Sequence, residues 1–113
     1  MSVTIITRNR KVKPLLPNMA GWRLYGHINA ISQGLIYLEN GDVDFPRPPD
    51  HLTKSQAIFT AKLIEMRLFK SKHAADRMKE LDKRSEGLYS GSLEKLVKGY
   101  MNWLKKCDGY RLI

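Results

Sequence analysis

Three prolines within four positions, Pro46, Pro48 and Pro49, constrain this chain more than any other feature. Proline fixes its own backbone angle and offers no N–H, so neither a helix interior nor a central strand can run through them. Residues 46–52 therefore read as an extended, Pro-rich connector. It separates two halves whose hydrophobic periods differ, a β-rich half over 1–45 and a helical half over 53–113.

In the first half the pattern repeats every two residues. Val3, Ile5 and Thr7 alternate with Thr4 and Ile6, and Trp22, Leu24, Gly26, Ile28 and Ala30 alternate with Arg23, Tyr25, His27 and Asn29, the signature of half-buried strands. Residues 35–39 and 42–45 flank Asn40-Gly41, the dipeptide best suited to a two-residue hairpin turn. The expected result is an N-terminal antiparallel sheet of three strands, with residues 2–7 as a candidate fourth.

The second half carries helix signals. Thr53-Lys54-Ser55-Gln56 matches a capping box, in which side chains at the first and fourth positions satisfy each other's backbone amides. Ala57, Ala61, Ile64 and Leu68 then recur as an amphipathic stripe. Phe59, Leu63, Met66 and Phe69 occupy the other side, so this helix is expected to be central, packed on two partners and open to homodimer formation. The stripe through Ala74, Ala75, Met78 and Leu81 is out of phase with the first at about 3.6 residues per turn, which predicts a break near Ser71. Ser92 is placed to cap a third helix carrying Leu93, Leu96, Val97, Tyr100, Trp103 and Leu104. The fold class expected is α+β, an N-terminal sheet followed by three helices, the first of them central.

A chain of 113 residues fits one domain, since a second core would need roughly 100 residues of its own. Its 20 Lys and Arg outnumber 11 Asp and Glu, a formal net charge of +9, and such an imbalance points to polyanionic partners. The single cysteine, Cys107, forms no internal disulfide, which favours the cytoplasm over an oxidising compartment. The first residues place apolar side chains before basic ones, the reverse of an export signal. The longest mostly apolar window, 57–69, is interrupted by Lys62, Glu65 and Arg67 and falls short of the roughly 20 residues of a membrane span. No membrane association is expected.

Catalysis would call for a spaced acid-base, nucleophile or phosphate-loop signature, and the sequence has none. His27, His51 and His73 fall in separate segments, so no metal or other cofactor is expected. Charge, in contrast, is concentrated: Arg8, Arg10, Lys11 and Lys13 lie within six positions, and no acidic residue precedes Glu39. Such a segment, held extended by Pro14 and Pro17, could follow a phosphate backbone. The polar side of the expected strand 22–31, with Arg23, Tyr25, His27 and Asn29 in a row, adds cation, aromatic and amide groups of the kind that stack with and hydrogen-bond to bases. These residues make a small non-enzymatic, basic nucleic-acid-binding protein the first functional expectation, a regulator or replication accessory acting on DNA or RNA. The alternative is an effector or inhibitor whose positive surface docks on an acidic protein or on an enzyme that processes nucleic acid.

Overall fold

Thr53 is where local chemistry fixes the architecture. In the computed structural model, which describes residues 5–12, 19–32, 50–84 and 91–112, the Thr53 hydroxyl accepts from the Gln56 amide at 3.2 Å and the Gln56 side chain accepts from the Thr53 amide at 2.9 Å. The helix that follows, α2 (Lys54–Glu65), buries Ala57, Ala61 and Ile64. It continues through a single π-helical turn, Met66–Lys70, that buries Leu68. A wide turn leaves backbone groups in need of partners. Arg77 supplies one, donating to the Arg67 carbonyl at 3.2 Å and to the Ser71 hydroxyl at 2.6 Å. Ser71 is extended, and the chain restarts as α3 (Ala74–Arg84), so the break falls where the change of phase placed it. Ser92 caps α4 (Leu93–Lys106), its side chain accepting from the Lys95 amide, and α4 buries Val97, Tyr100, Met101, Trp103 and Leu104.

Residues 22–31 overturn the expected order of elements. They belong to a helix, α1 (Met19–Ser32), rather than a strand. Leu24 and Ile28 are four residues apart, a spacing that satisfies both a period of two and a period of 3.6. Ile31, which an alternating strand would turn outward, is buried with them, and so are Asn29 and Ser32. The Ser32 hydroxyl donates to the Ile28 carbonyl at 2.7 Å, and the Asn29 side-chain amide bonds the Tyr100 hydroxyl at 3.2 Å. The ring of Tyr25 stacks on that of Tyr100, centroids 4.4 Å apart.

The sheet is assembled from three segments distant in sequence: β1 (Ile5–Thr7), β2 (His51–Thr53) and β3 (Gly109–Leu112). The order is β1-β3-β2, with β3 antiparallel to both neighbours. Strands and helices therefore interleave, with four α-helices among the described residues. An N-terminal sheet followed by three helices is not what forms. The hairpin expected at Asn40-Gly41, its strands, the connector prolines and Lys13 lie outside the described residues.

Strand alternation sorts the side chains of the sheet. Ile5, Thr7, Leu52 and Tyr110 face the helices and are buried, while His51 and Arg111 are exposed and Ile6 is half-buried. Behind the sheet, α2 packs on α1, α4, β2 and β3. On its other side Phe69 packs against the core cluster and Leu63 is half-buried, while Phe59 and Met66 remain exposed.

Two buried phenols make the core sensitive to alkali. Burial pushes the Tyr100 hydroxyl well above its ordinary value of 10.0, chiefly by desolvation and further through Tyr110, and burial likewise raises Tyr110. The unfolded chain then ionises before the folded one. Their contribution to stability is present in full below the ordinary phenol value and is lost as pH rises toward the folded-state values. An alkaline titration followed by tyrosinate absorbance and circular dichroism is expected to show these two phenols ionising together with loss of structure. Their ionisation with helicity unchanged would show them to be accessible.

Candidate functional site

The turn after β1 is built by Asn9. Its backbone amide donates to the Cys107 carbonyl at 3.0 Å, and its side-chain amide donates to the Lys106 carbonyl at 3.0 Å. Its side-chain oxygen accepts from the Lys11 amide at 3.0 Å. The Thr7 hydroxyl is shared between the Asn9 and Val12 carbonyls. Residues 8–12 thus form a stapled turn, not the extended track expected of this segment. Arg8, Arg10 and Lys11 project from it, all exposed. Lys106, also exposed, is brought beside them through the Asn9 bond.

The ladder carries the same basic surface across the sheet. The Arg8 amide donates to the Gly109 carbonyl at 3.0 Å, extending the β1–β3 pairing by one residue. Ile6, Arg111 and His51 lie opposite one another in register, and side chains in such a row share one face of a pleated sheet. The outcome is an open groove of about 680 Å³, lined by Ile6, Thr7, Arg8, Arg10, Asp50, His51, Tyr110 and Arg111. Three guanidinium groups face one carboxylate there.

Elsewhere among the described residues some charges are paired and others, Lys62, Lys72, Lys79, Lys83 and Lys95 among them, are not. Glu65 lies 2.8 Å from Lys70 and 3.1 Å from Lys105, and these two ammonium groups hold its carboxyl below the usual value. Glu80 pairs with Arg84, Glu94 with Lys98 and Asp108 with Lys54. Among the described residues Arg8, Arg10, Lys11 and Arg111 have no such partner. A guanidinium offers five donors in a planar fork matched to phosphate oxygens, so a groove edged by three of them is suited to an extended oxyanion chain.

The candidate residues from the sequence divide into two sets that the fold keeps apart. Arg8 and Arg10 line the groove, with Lys11 on the same turn, and Lys13 lies outside the described residues. Arg23, Tyr25, His27 and Asn29 belong to α1, and none of its described side chains lines the groove. The strand face on which they were expected to stand together does not exist. The Arg23 side chain lies outside the described residues, the Tyr25 ring is stacked on Tyr100, and His27 is half-buried. Arg111, His51 and the positioning residue Asn9 are not among the binding residues expected from the sequence. The alternation of buried Tyr110 with exposed Arg111 after Gly109 was the available signal for β3.

Other candidates for chemistry are spread out. His73 and Asp76 form an exposed contact at 3.9 Å, and no group of three His, Cys, Asp or Glu among the described residues could hold a metal ion. Cys107 is buried, its Sγ donating to the Leu104 carbonyl at 3.4 Å. Desolvation raises its thiol pKa, the opposite of what an activated nucleophile needs. Among the described residues no helix is long and apolar enough to cross a membrane. Comparison with protein-family models, curated proteins and solved structures yields no match, so any function must be argued from the site itself.

Proposed function

We propose that this is a small non-enzymatic nucleic-acid-associated protein that holds a phosphate backbone along the groove between the 8–12 turn and β3, as a regulator or accessory factor. What supports the reading is the convergence of Arg8, Arg10 and Arg111 on one open groove from opposite ends of the chain, with no ion pair among the described residues. Lys11 and Lys106 extend the basic surface beyond the groove. Phosphate contacts of this kind position a strand without reading its sequence, so affinity is expected to vary little with base composition. The buried free thiol of Cys107 supports a reducing compartment such as the cytoplasm.

Salt dependence is the direct test. Each neutralised phosphate contributes about −0.9 to the slope of log K against log salt on duplex DNA, and about −0.7 on single strands. Replacing Arg8, Arg10, Lys11 and Arg111 together by Gln is expected to remove about −3.6 or −2.8 of that slope if each neutralises one phosphate. Fluorescence anisotropy on duplex DNA, single-stranded DNA and RNA across a salt series measures it. Removing four charges from α3 instead (Lys79, Lys83 and Arg84, with neighbouring Lys72) controls for net charge. Equal loss in both variants would make the binding a property of overall charge, and no binding to any of the three at low salt would remove the proposal.

A further inference from the structure

On the solvent side of α2, Ser55, Phe59, Lys62, Met66 and Lys70 are all exposed and follow one another at spacings of four, three, four and four. They form one ridge, opposite the buried Ala57, Ala61 and Ile64. Phe59 is 67% exposed and Met66 56%, and they are the large apolar side chains left exposed among the described residues. Scattered apolar residues on a surface need no explanation, but two on one ridge separated by two helical turns do. Seven residues at about 1.5 Å per residue place them roughly 10.5 Å apart, the heptad spacing at which a partner helix presents its apolar anchors.

Charge narrows what can lie on this ridge. It carries Lys62 and Lys70 and no acidic residue. The neighbouring carboxylate, Glu65, is engaged by Lys70 and by Lys105 from α4. Lys62, between the two apolar side chains, has no ion pair among the described residues. A second copy packed ridge to ridge about a two-fold axis would set Lys62 near Lys62, between chains that each carry a net charge of +9. A membrane-surface helix needs a broad apolar face, whereas Ser55 and Lys62 interrupt this one.

We propose that the Phe59–Lys62–Met66 ridge docks an acidic amphipathic helix of a partner protein, whose apolar residues meet Phe59 and Met66 and whose carboxylates meet Lys62. Methionine suits such a contact because its unbranched thioether adapts to the shape it meets. The groove draws none of its lining from α2, so this surface stands independently of the nucleic-acid reading.

The test titrates the full chain with a synthetic three-heptad peptide carrying Leu at its apolar positions and Glu beside them, and with the same peptide carrying Lys in place of Glu. The Glu peptide is expected to bind and the Lys peptide not. Phe59→Ser combined with Met66→Ser is expected to weaken the Glu peptide by about tenfold or more, as for a central anchor pair, while leaving circular dichroism and the nucleic-acid salt slope unchanged. Lys62→Glu is expected to reverse the preference between the two peptides, a result that misfolding does not mimic. Equal affinity for both peptides, or binding to neither, would overturn the proposal. So would self-association in sedimentation velocity that the double variant abolishes, or binding of anionic phosphatidylserine vesicles in preference to the Glu peptide.

Discussion

Ile64→Asp is expected to abolish cooperative thermal unfolding, leaving a chain without a fixed core. Ile64 is 0% exposed and lies in one apolar cluster with Leu24, Ile28, Leu68, Val97 and Leu104. The substitution forfeits about 1.5–3 kcal/mol of side-chain burial and places a carboxylate inside that apolar cluster. An unpaired buried charge costs several kcal/mol more or forces its own protonation. Against a total stability of about 5–15 kcal/mol for an ordinary domain, that is enough to unfold the chain. Phe59→Asp, five residues earlier on the same helix, is expected to change stability by no more than about 0.5 kcal/mol, as for other surface substitutions. Circular dichroism melts of the two variants check the pair. An unchanged melting temperature for Ile64→Asp would mean that α2 is turned the other way and that the proposed docking ridge is its core face.

How much of this could be seen in the sequence depended on how far apart the interacting residues were. The capping box at Thr53, the Ser92 cap and the break at Ser71 are settled within a few residues, and each appears where its local chemistry places it. The central stripe Ala57, Ala61, Ile64 and Leu68 is buried as its spacing requires. The opposite stripe divides, Phe69 packing against the core while Phe59 and Met66 stay exposed, because an apolar side chain at helical spacing marks a face without saying whether anything covers it. In α1 the residues Leu24 and Ile28 fit either period, and the cues against a strand, buried Ile31 and the Asn29 bond to Tyr100, depend on contacts from distant parts of the chain. The sheet was least legible of all. Ile5 pairs with Leu112 and His51 with Arg111, and no local pattern announces partners so far apart. For the same reason the sequence could nominate Arg8 and Arg10 but not the Arg111 that completes their groove, nor Asn9, whose bonds to Lys106 and Cys107 hold the turn in place.

Gly109 connects that long-range pairing to the site, and Gly109→Ala is expected to damage both. The residue has a φ of +96°, and an added Cβ would lie 2.7 Å from the Leu52 carbonyl oxygen and 3.0 Å from both the Lys54 nitrogen and the Thr53 carbonyl carbon. All three are backbone atoms of the β2–α2 junction, so no side chain can rotate away to make room. The left-handed conformation alone costs a non-glycine residue about 1–3 kcal/mol, and relieving the overlap requires β3 to part from β2. Each kcal/mol lowers the melting temperature of a domain near this size by about 4–8 °C. Gly99→Ala supplies the opposite sign, because Gly99 lies in the interior of α4 with nothing within 4 Å of its added Cβ. There the substitution is expected to stabilise by about 0.5–1 kcal/mol. Displacing β3 also moves Arg111 off the groove. Gly109→Ala is therefore expected to bind nucleic acid more weakly, with a salt slope shallower by about one phosphate, whereas Gly99→Ala leaves the slope alone. A Gly109→Ala protein as stable as the parent would remove β3 from the middle of the sheet. One that is destabilised yet keeps the full slope while folded would remove Arg111 from the phosphate path.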